Sequence, residues 1–183
     1  MAEKHTTSVW TSIRGRIGAW YFNSSLRRLS EILFWGDVKP SFLNEVSHLI
    51  NGDKVILDIG AGSGYYSLAI AKELITGKVI CLDLSEEMLH RLEQKAEKED
   101  LKDRIQILKG EASSSGLANE SVDLVVSNHL LHEVSNPEAV LREMHRVLRP
   151  NGWAIITDFR ATRIAKLIEV GHSKEAHGPF CVN

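Results

Sequence analysis

From Lys54 onwards, short apolar runs alternate with segments of helical period, and this alternation constrains the fold more than any other feature. The first run, residues 55–59, is almost wholly apolar, as is typical of a strand covered on both faces. Further strands are predicted at residues 78–82, 104–108, 122–127 and 153–159. Strands that alternate with helices imply a parallel sheet with helices on both faces. We therefore predict a doubly wound α/β sandwich.

The predicted helices carry recognisable start signals. Residues 66–74 have helical period, and Ser85 is placed to cap a helix whose first turn holds Glu86 and Glu87, which interact favourably with the helix dipole. Asn136-Pro137 opens a further helix, which we expect to end at Pro150-Asn151-Gly152. These signals place one helix in each of three connections between strands.

The first 50 residues differ from the rest of the chain. They hold three of the four tryptophans, and helices are predicted after Asn23-Ser24-Ser25 and near Pro40. Arginines at 14, 16, 27 and 28 accompany them; a solvated basic face is the simpler interpretation. We predict that residues 1–50 form a helical cap or lid over the core formed by residues 51–183.

Composition excludes several classes of partner. With 22 basic and 24 acidic residues, the chain has no overall electrostatic footprint for nucleic acid. No apolar run approaches the roughly 18 residues of a membrane span, and the first residues lack the apolar core of a signal peptide. Two cysteines fit a reducing compartment. We expect a cytoplasmic protein without integral membrane association that acts on a small-molecule substrate.

A glycine-rich loop follows the first strand, at the sheet edge where ligands bind in such folds. It reads Asp58-Ile-Gly60-Ala-Gly62-Ser-Gly64. The dinucleotide fingerprint needs glycine at its sixth position, which here is Tyr65, and the lysine of a phosphate-binding Walker loop is absent. A nicotinamide-dependent oxidoreductase is therefore disfavoured. Gly64 is expected to serve close packing more than ligand contact.

Carboxylates follow three successive predicted strands. Asp58 would repel a phosphate and could hold an ammonium group, while Asp83 is placed to accept hydrogen bonds from a ribose diol. Glu111 could accept a hydrogen bond from an adenine amino group, and a solvent-facing loop glutamate is an equally good interpretation. Ammonium, ribose and adenine together describe S-adenosylmethionine.

Residues 55–74, 79–85 and 110–159 resemble the successive motifs of class I S-adenosylmethionine-dependent methyltransferases. The resemblance is strongest to the broad subgroup that includes ubiquinone/menaquinone and small-molecule methyltransferases. It is carried by Ser121-Val-Asp-Leu-Val-Val-Ser-Asn-His-Leu-Leu-His132 and Leu141-Arg-Glu-Met-His-Arg-Val-Leu-Arg-Pro-Asn-Gly152. It implies a Rossmann-like sheet and methyl transfer to a small molecule by direct displacement. The donor contacts that it implies are Asp58, Gly60, Ala61, Gly62, Asp83, Leu84, Met88, Glu111, Ala112 and Asn128.

Two histidines, His129 and His132, follow the fourth strand, where the family's substrates approach the methyl group. An imidazole there could act as a general base. Alternatively, His132 only closes the pocket, because the resemblance gives this position no fixed catalytic duty. Two histidines are too few for a metal site, so none is predicted. The sequence Ser127-Asn128-His129-Leu130 lacks the Asn/Asp-Pro-Pro-Tyr/Phe motif of enzymes that methylate amino groups of bases or glutamine amides.

One departure from the family concerns the C-terminal strands. Family members continue past the fifth strand with a helix and an antiparallel pair of strands, whereas only 24 residues follow Phe159 here. We therefore expect the C-terminal strands to be missing and the sheet edge to be open. Either the chain is truncated, or a second subunit covers the edge in a homo-oligomer. This leaves a non-catalytic S-adenosylmethionine-binding module as an alternative to the enzyme.

Overall fold

The computed structural model describes residues 38–158 and 181–182. The chain divides into two compact units, Met1–Phe42 and Leu43–Asn183, and the sheet belongs to the second. In chain order the elements are α1 (Val38–Leu49), β1 (Asp53–Ile59), α2 (Ser67–Glu73), β2 (Thr76–Asp83), α3 (Glu86–Lys98), a 3₁₀ turn (Lys102–Arg104), β3 (Ile105–Lys109), β4 (Val122–Asn128), α4 (Pro137–Val147), β5 (Leu148–Thr157) and β6 (Cys181–Val182).

The six strands form one sheet in the order β3-β2-β1-β4-β5-β6. Strands β1 to β5 are parallel, and β6 pairs antiparallel with β5. The chain runs outward from β1 to β3 and then returns to the other side of β1 at β4. The switch point, where such sheets bind ligands, therefore lies at the carboxyl ends of β1 and β4. This topology confirms the predicted doubly wound α/β fold.

The central strands form the core because nearly every residue in them is apolar. In β1, Ile56, Leu57 and Ile59 have no exposed surface, and β4 is buried almost throughout. Helix α4 contributes Val140, Met144 and Val147 to the same cluster. Continuous burial of this kind requires cover on both faces of the sheet, as the apolar runs predict.

The helix starts agree with their sequence signals. The Ser85 Oγ atom accepts a hydrogen bond from the Met88 N–H group at 3.3 Å, and Asn136 Oδ1 accepts one from the Ala139 N–H group at 3.1 Å. None of the helices between residues 38 and 158 has both the length and the apolar character needed to span a bilayer.

The end of α4 differs from the prediction. The helix ends at Val147, and β5 begins at Leu148, before the Pro150-Asn151-Gly152 signal. That signal lies inside β5, where the pairing with β4 shifts in register and Asn151 adopts a φ of +64°. The turn residues therefore make a bulge within a strand, because Leu148 already pairs with Val122 before the bulge.

The sheet edge at β5 is also partly different from the prediction. Residues Ala154 and Ile155 pair with β6, so a two-residue strand lies along the edge that was expected to be open. The predicted helix after Asn23 and the tryptophans of the first 35 residues lie outside the described residues, so the cap remains a prediction.

Candidate functional site

The glycine-rich loop between β1 and α2 turns back on the end of β2. Gly60, Gly62 and Gly64 have φ angles of +79°, +53° and +84°, which residues other than glycine rarely adopt. The N–H groups of Gly60 and Ala61 both donate to the carbonyl oxygen of Leu82, at 2.8 and 3.0 Å. Glycine is thus required for a turn that brings the loop to the carboxyl edge of the sheet.

The three glycines differ in what an added side chain would meet. A Cβ atom at Gly64 would lie 2.7 Å from Leu92 Cγ, and one at Gly60 would lie 3.0 Å from Leu130 Cδ1. At Gly62 nothing lies within 4 Å. Gly64 therefore allows close packing, as expected, whereas Gly62 leaves open space in which a ligand can approach the backbone.

Asp83, at the end of β2, holds this loop from the side. Its Oδ2 atom accepts a hydrogen bond from the Gly62 N–H group and its Oδ1 atom accepts one from the Ser85 N–H group, both at 2.8 Å. Burial raises the pKa of the carboxyl group, and the backbone N–H groups of Ser85, Gly62 and Leu84 act in the opposite direction. Because a carboxylate has about four acceptor positions, these bonds leave room for hydroxyl donors of a ligand.

Asp58, at the end of β1, is only 2% exposed. Ser67 Oγ donates a hydrogen bond to its Oδ2 atom at 2.5 Å. Burial raises the pKa of Asp58 to about 7; the Ser67 hydrogen bond lowers it, and the charge of Asp83 raises it. A cation beside this carboxyl group would compensate its buried charge. Ser67 was not predicted from the sequence, although a hydroxyl at the first position of the helix after such a loop is a recognisable signal.

Two residues beside Asp83 have contrasting exposure. Leu84, directly after β2, is 49% exposed and is one of two exposed large apolar side chains among the described residues, whereas Met88 on α3 is buried. An exposed leucine next to the Asp83 carboxylate offers an apolar surface on which an aromatic ring of a ligand can pack.

The end of β3 lies beside the end of β2. Asp83 is in register with Lys109, and the Gly110 N–H group donates to the Asp83 carbonyl oxygen at 3.1 Å. Glu111, two residues past Lys109, is exposed, and Ala112 is partly buried. The topology therefore brings Glu111 to the same edge as Asp83, and the exposure fits both interpretations of the glutamate.

The two tyrosines after Gly64 have different environments. Tyr66 is buried and Tyr65 is partly exposed, and their rings pack edge to face with centroids 5.0 Å apart. Tyr66 therefore serves packing.

At the end of β4, Asn128 contacts the neighbouring strand. Its Oδ1 atom accepts a hydrogen bond from Thr157 Oγ1 at 2.5 Å. In the described structure, the buried Asn128 Nδ2 and Ser127 Oγ atoms have no hydrogen-bond partner. An unsatisfied buried donor costs about 1–3 kcal/mol. The amide is therefore a candidate ligand contact at the switch point.

The turn after β4 carries the two predicted histidines. The His129 N–H group donates to the Thr157 carbonyl oxygen at 2.8 Å. The His132 Nδ1 atom lies 2.5 Å from Asp158 Oδ1, while Asp158 Oδ2 accepts hydrogen bonds from the N–H groups of Leu131 at 2.6 Å and of His132 at 3.3 Å.

The contact of Asp158 with His132 was not predicted from the sequence. An acidic residue directly after the fifth strand is the signal that could have found it, because polar residues at strand ends converge on one edge.

Two sets of side-chain hydrogen bonds outside the site hold its loops in place. From α3, Lys95 Nζ donates to the carbonyl and hydroxyl oxygens of Ser63, at 3.0 and 3.1 Å. From α4, Glu143 Oε1 accepts hydrogen bonds from the Ser115 N–H and Oγ groups, at 2.7 and 2.5 Å. The Arg146 guanidinium group lowers the pKa of Glu143 to about 2; burial raises it, and Ser115 lowers it further. The loop after β3, which carries Glu111, is thus held by an ionised carboxylate.

Comparison with known proteins places this geometry in context. A family model described as "Methyltransferase domain" matches residues 57–156. The malonyl-[acyl-carrier protein] O-methyltransferase of Methylococcus capsulatus is 31% identical over 131 residues, covering 72% of this chain and 46% of that protein. The demethylmenaquinone methyltransferase of Lactobacillus johnsonii is 34% identical over 97 residues, covering 52% of this chain and 40% of that protein. The chain thus spans less than half the length of these two relatives.

A solved structure of a methyltransferase matches a larger share of the chain. The structure of an S-adenosylmethionine-dependent methyltransferase from Aquifex aeolicus superposes with a TM-score of 0.65 and 25% identity. The match covers 89% of this chain and 77% of that one. The sequence and structural matches therefore agree on one family.

Proposed function

We propose that this chain, which belongs to the class I S-adenosylmethionine-dependent methyltransferase family, transfers the donor's methyl group to a small-molecule acceptor by direct displacement. The cofactor that this membership implies is S-adenosylmethionine. The observation that carries the proposal is the open space at Gly62, whose N–H group donates to the Asp83 carboxylate and whose loop begins at the buried carboxyl group of Asp58; we call these three residues the donor cradle. The donor is cationic at its methionine end and carries a ribose diol, so this cradle matches both groups.

The residues of the cradle fit the donor without requiring a phosphate site. Asp58 would face the ammonium group, because a buried carboxyl group with a raised pKa gains most from a neighbouring cation. Asp83 would accept hydrogen bonds from the ribose hydroxyls with the acceptor positions that the loop leaves.

The remaining contacts would hold the base and the methionine end. Leu84 would lie against the adenine ring, with Met88 behind it and Glu111 near the amino group. Asn128 Nδ2 would donate to an acceptor on the donor molecule and so satisfy its buried N–H group. Gly60, Ala61, Gly62 and Ala112 would contribute backbone and small surfaces that permit close approach.

The sulfonium group of the bound donor supplies an already activated methyl group. The protein's main task is then to align the acceptor with the carbon–sulfur bond and to exclude water. The relatives' names refer to different acceptors, malonyl-[acyl-carrier protein] and demethylmenaquinone. The donor half of the site therefore supports a common chemistry, while the acceptor is specific to each protein.

Titration calorimetry of the purified chain with S-adenosylmethionine, S-adenosylhomocysteine and NADH tests the donor site. We expect binding of the first two in the micromolar range, typical of enzyme substrates, and none of NADH. Binding of NADH alone would contradict the proposal. A radiolabelled methyl-transfer assay on the same preparation then separates an enzyme from a non-catalytic binding module, which would bind the donor and transfer nothing to any acceptor.

A further inference from the structure

We propose that His132, oriented by Asp158, is the general base of the proposed methyl transfer, and that the acceptor is a nucleophile that carries a proton, such as a phenolic hydroxyl group. This inference rests on the proposed function. The geometry of the His132–Asp158 pair points to it.

The position of Asp158 fixes the proton on the imidazole ring. A carboxylate oxygen 2.5 Å from Nδ1 requires an N–H donor on that atom, so a neutral ring carries its basic lone pair on Nε2. The other oxygen of Asp158 accepts the N–H groups of Leu131 and His132, and the Asp158 side chain is only 9% exposed. The carboxylate is therefore held in one orientation and in turn orients the ring.

The turn that carries His132 lies against the donor loop. A Cβ atom added to Gly60 would lie 3.0 Å from Leu130 Cδ1, so the turn packs against this loop. The His129 N–H group donates to the Thr157 carbonyl oxygen and so holds the turn at the end of β5. The His132 side chain is 29% exposed. The ring is therefore partly open to an acceptor at the same sheet edge as the donor cradle, while the Asp158 side chain is largely buried.

The proposed step balances in protons and electrons. The acceptor's X–H proton passes to His132 Nε2, and the acceptor's electron pair forms the new bond to the methyl carbon. The carbon–sulfur bond breaks, and its electron pair remains on sulfur, which becomes a neutral thioether. One positive charge thus moves from sulfur to the imidazole ring, where Asp158 contacts Nδ1 and Glu133 Oε1 lies 3.8 Å from Nε2. Both carboxylates stabilise the imidazolium ion that forms.

Nitrogen-15 NMR of the full chain, without any ligand, tests the orientation first. We expect the neutral His132 ring to be the tautomer with its proton on Nδ1 and none on Nε2. The Asp158→Ala variant should lose this preference, while Glu133→Gln should keep it. A proton on Nε2 in the unsubstituted protein would overturn the proposal.

Kinetics on a panel of acceptors tests the role. With S-adenosylmethionine and phenol, catechol or hydroquinone as probes, His132→Gln should lower kcat at least about a hundredfold and leave the donor Kd unchanged. The acidic 4-nitrophenol, already ionised near pH 8, should lose much less. His145→Gln, an exposed histidine on α4, is the matched control and should leave both values unchanged.

Three results would overturn the inference: unchanged turnover in His132→Gln, an equal loss on every acceptor, or methylation of carboxylates but of none of the phenols. Failure of the unsubstituted protein to bind the donor in calorimetry would instead count against the proposed function, and the tautomer measurement would still decide the orientation of His132.

Discussion

Replacing Gly64 and Gly62 by alanine separates packing from ligand approach in the same loop. Both residues have positive φ, so each substitution costs about 1–2 kcal/mol of backbone strain. At Gly64 the new methyl group would also lie 2.7 Å from the fully buried Leu92 and 3.2 Å from Leu68. Overpacking of this kind costs about 1–3 kcal/mol more. The expected losses of unfolding free energy are therefore about 2–5 kcal/mol for Gly64→Ala and about 1–2 kcal/mol for Gly62→Ala.

Urea denaturation followed by circular dichroism measures these losses. A stability of about 5–15 kcal/mol is typical of a domain, so Gly64→Ala should shift the midpoint clearly while the m-value stays constant. In calorimetry the order should reverse, because the methyl group at Gly62 fills the space left for the donor. We expect at least a tenfold loss of donor affinity for Gly62→Ala, whereas folded Gly64→Ala should lose less.

Gly52→Ala is the matched control for backbone strain. Gly52 has a φ of +85° with nothing within 4 Å, and it precedes β1 at the opposite edge of the sheet. Its substitution should cost as much stability as Gly62→Ala and leave donor binding unchanged. Equal destabilisation at Gly62 and Gly64, or intact donor affinity in Gly62→Ala, would refute the assignment of the two glycines.

Three further predictions concern the carboxylates. Asp83→Ala should weaken donor binding at least tenfold in calorimetry, and an unchanged Kd would exclude contact with the ribose. The pKa of Asp58 is raised from 3.8 to about 7 in the folded protein. As pH increases between these values, the stability of the unliganded protein should fall, and donor affinity should rise because the carboxyl group becomes charged. Asp58→Asn should flatten the first profile in urea denaturation and the second in calorimetry. The pKa of Glu143 is lowered from 4.5 to about 2 in the folded protein, so this carboxylate contributes at most about 3 kcal/mol to the free energy of unfolding. The contribution is complete above pH 4.5 and is lost as pH falls through 2. Glu143→Gln should remove this part of the acid dependence in urea denaturation.

Local signals were sufficient to predict most of the elements of the sheet. Ser85 and Asn136 were identified as helix caps because capping depends on residues three positions apart, which the sequence displays directly. The buried strands could be found because a short, continuous apolar run between turn residues is typical of a strand covered on both faces. The packing role of Gly64 was predicted, but its packing partner was not, because Leu92 is 28 residues away in the chain.

Features that depend on pairing between distant segments were not predictable in the same way. The sequence Pro150-Asn151-Gly152 is compatible both with the end of a helix and with a bulge in a strand. Only the pairing of Leu148 with Val122 shows that it forms a bulge. The contact of Asp158 with His132 depends on β5 lying beside β4, which no local pattern states.

The two halves of the site are specified by different kinds of interaction. On the donor side, the loop's shape comes from backbone N–H groups held by Leu82 and Asp83, and glycine is the main side-chain requirement. Many sequences can meet these demands, so a chain about one third identical to its relatives can still match the family model over residues 57–156, which include this loop. On the proposed acceptor side, the proposed chemistry depends on individual side chains in the turns after β4 and β5, above all on the contact between His132 and Asp158. Strand ends and glycines therefore lead to the proposed donor site, whereas the proposal for the acceptor depends on the orientation of a single histidine.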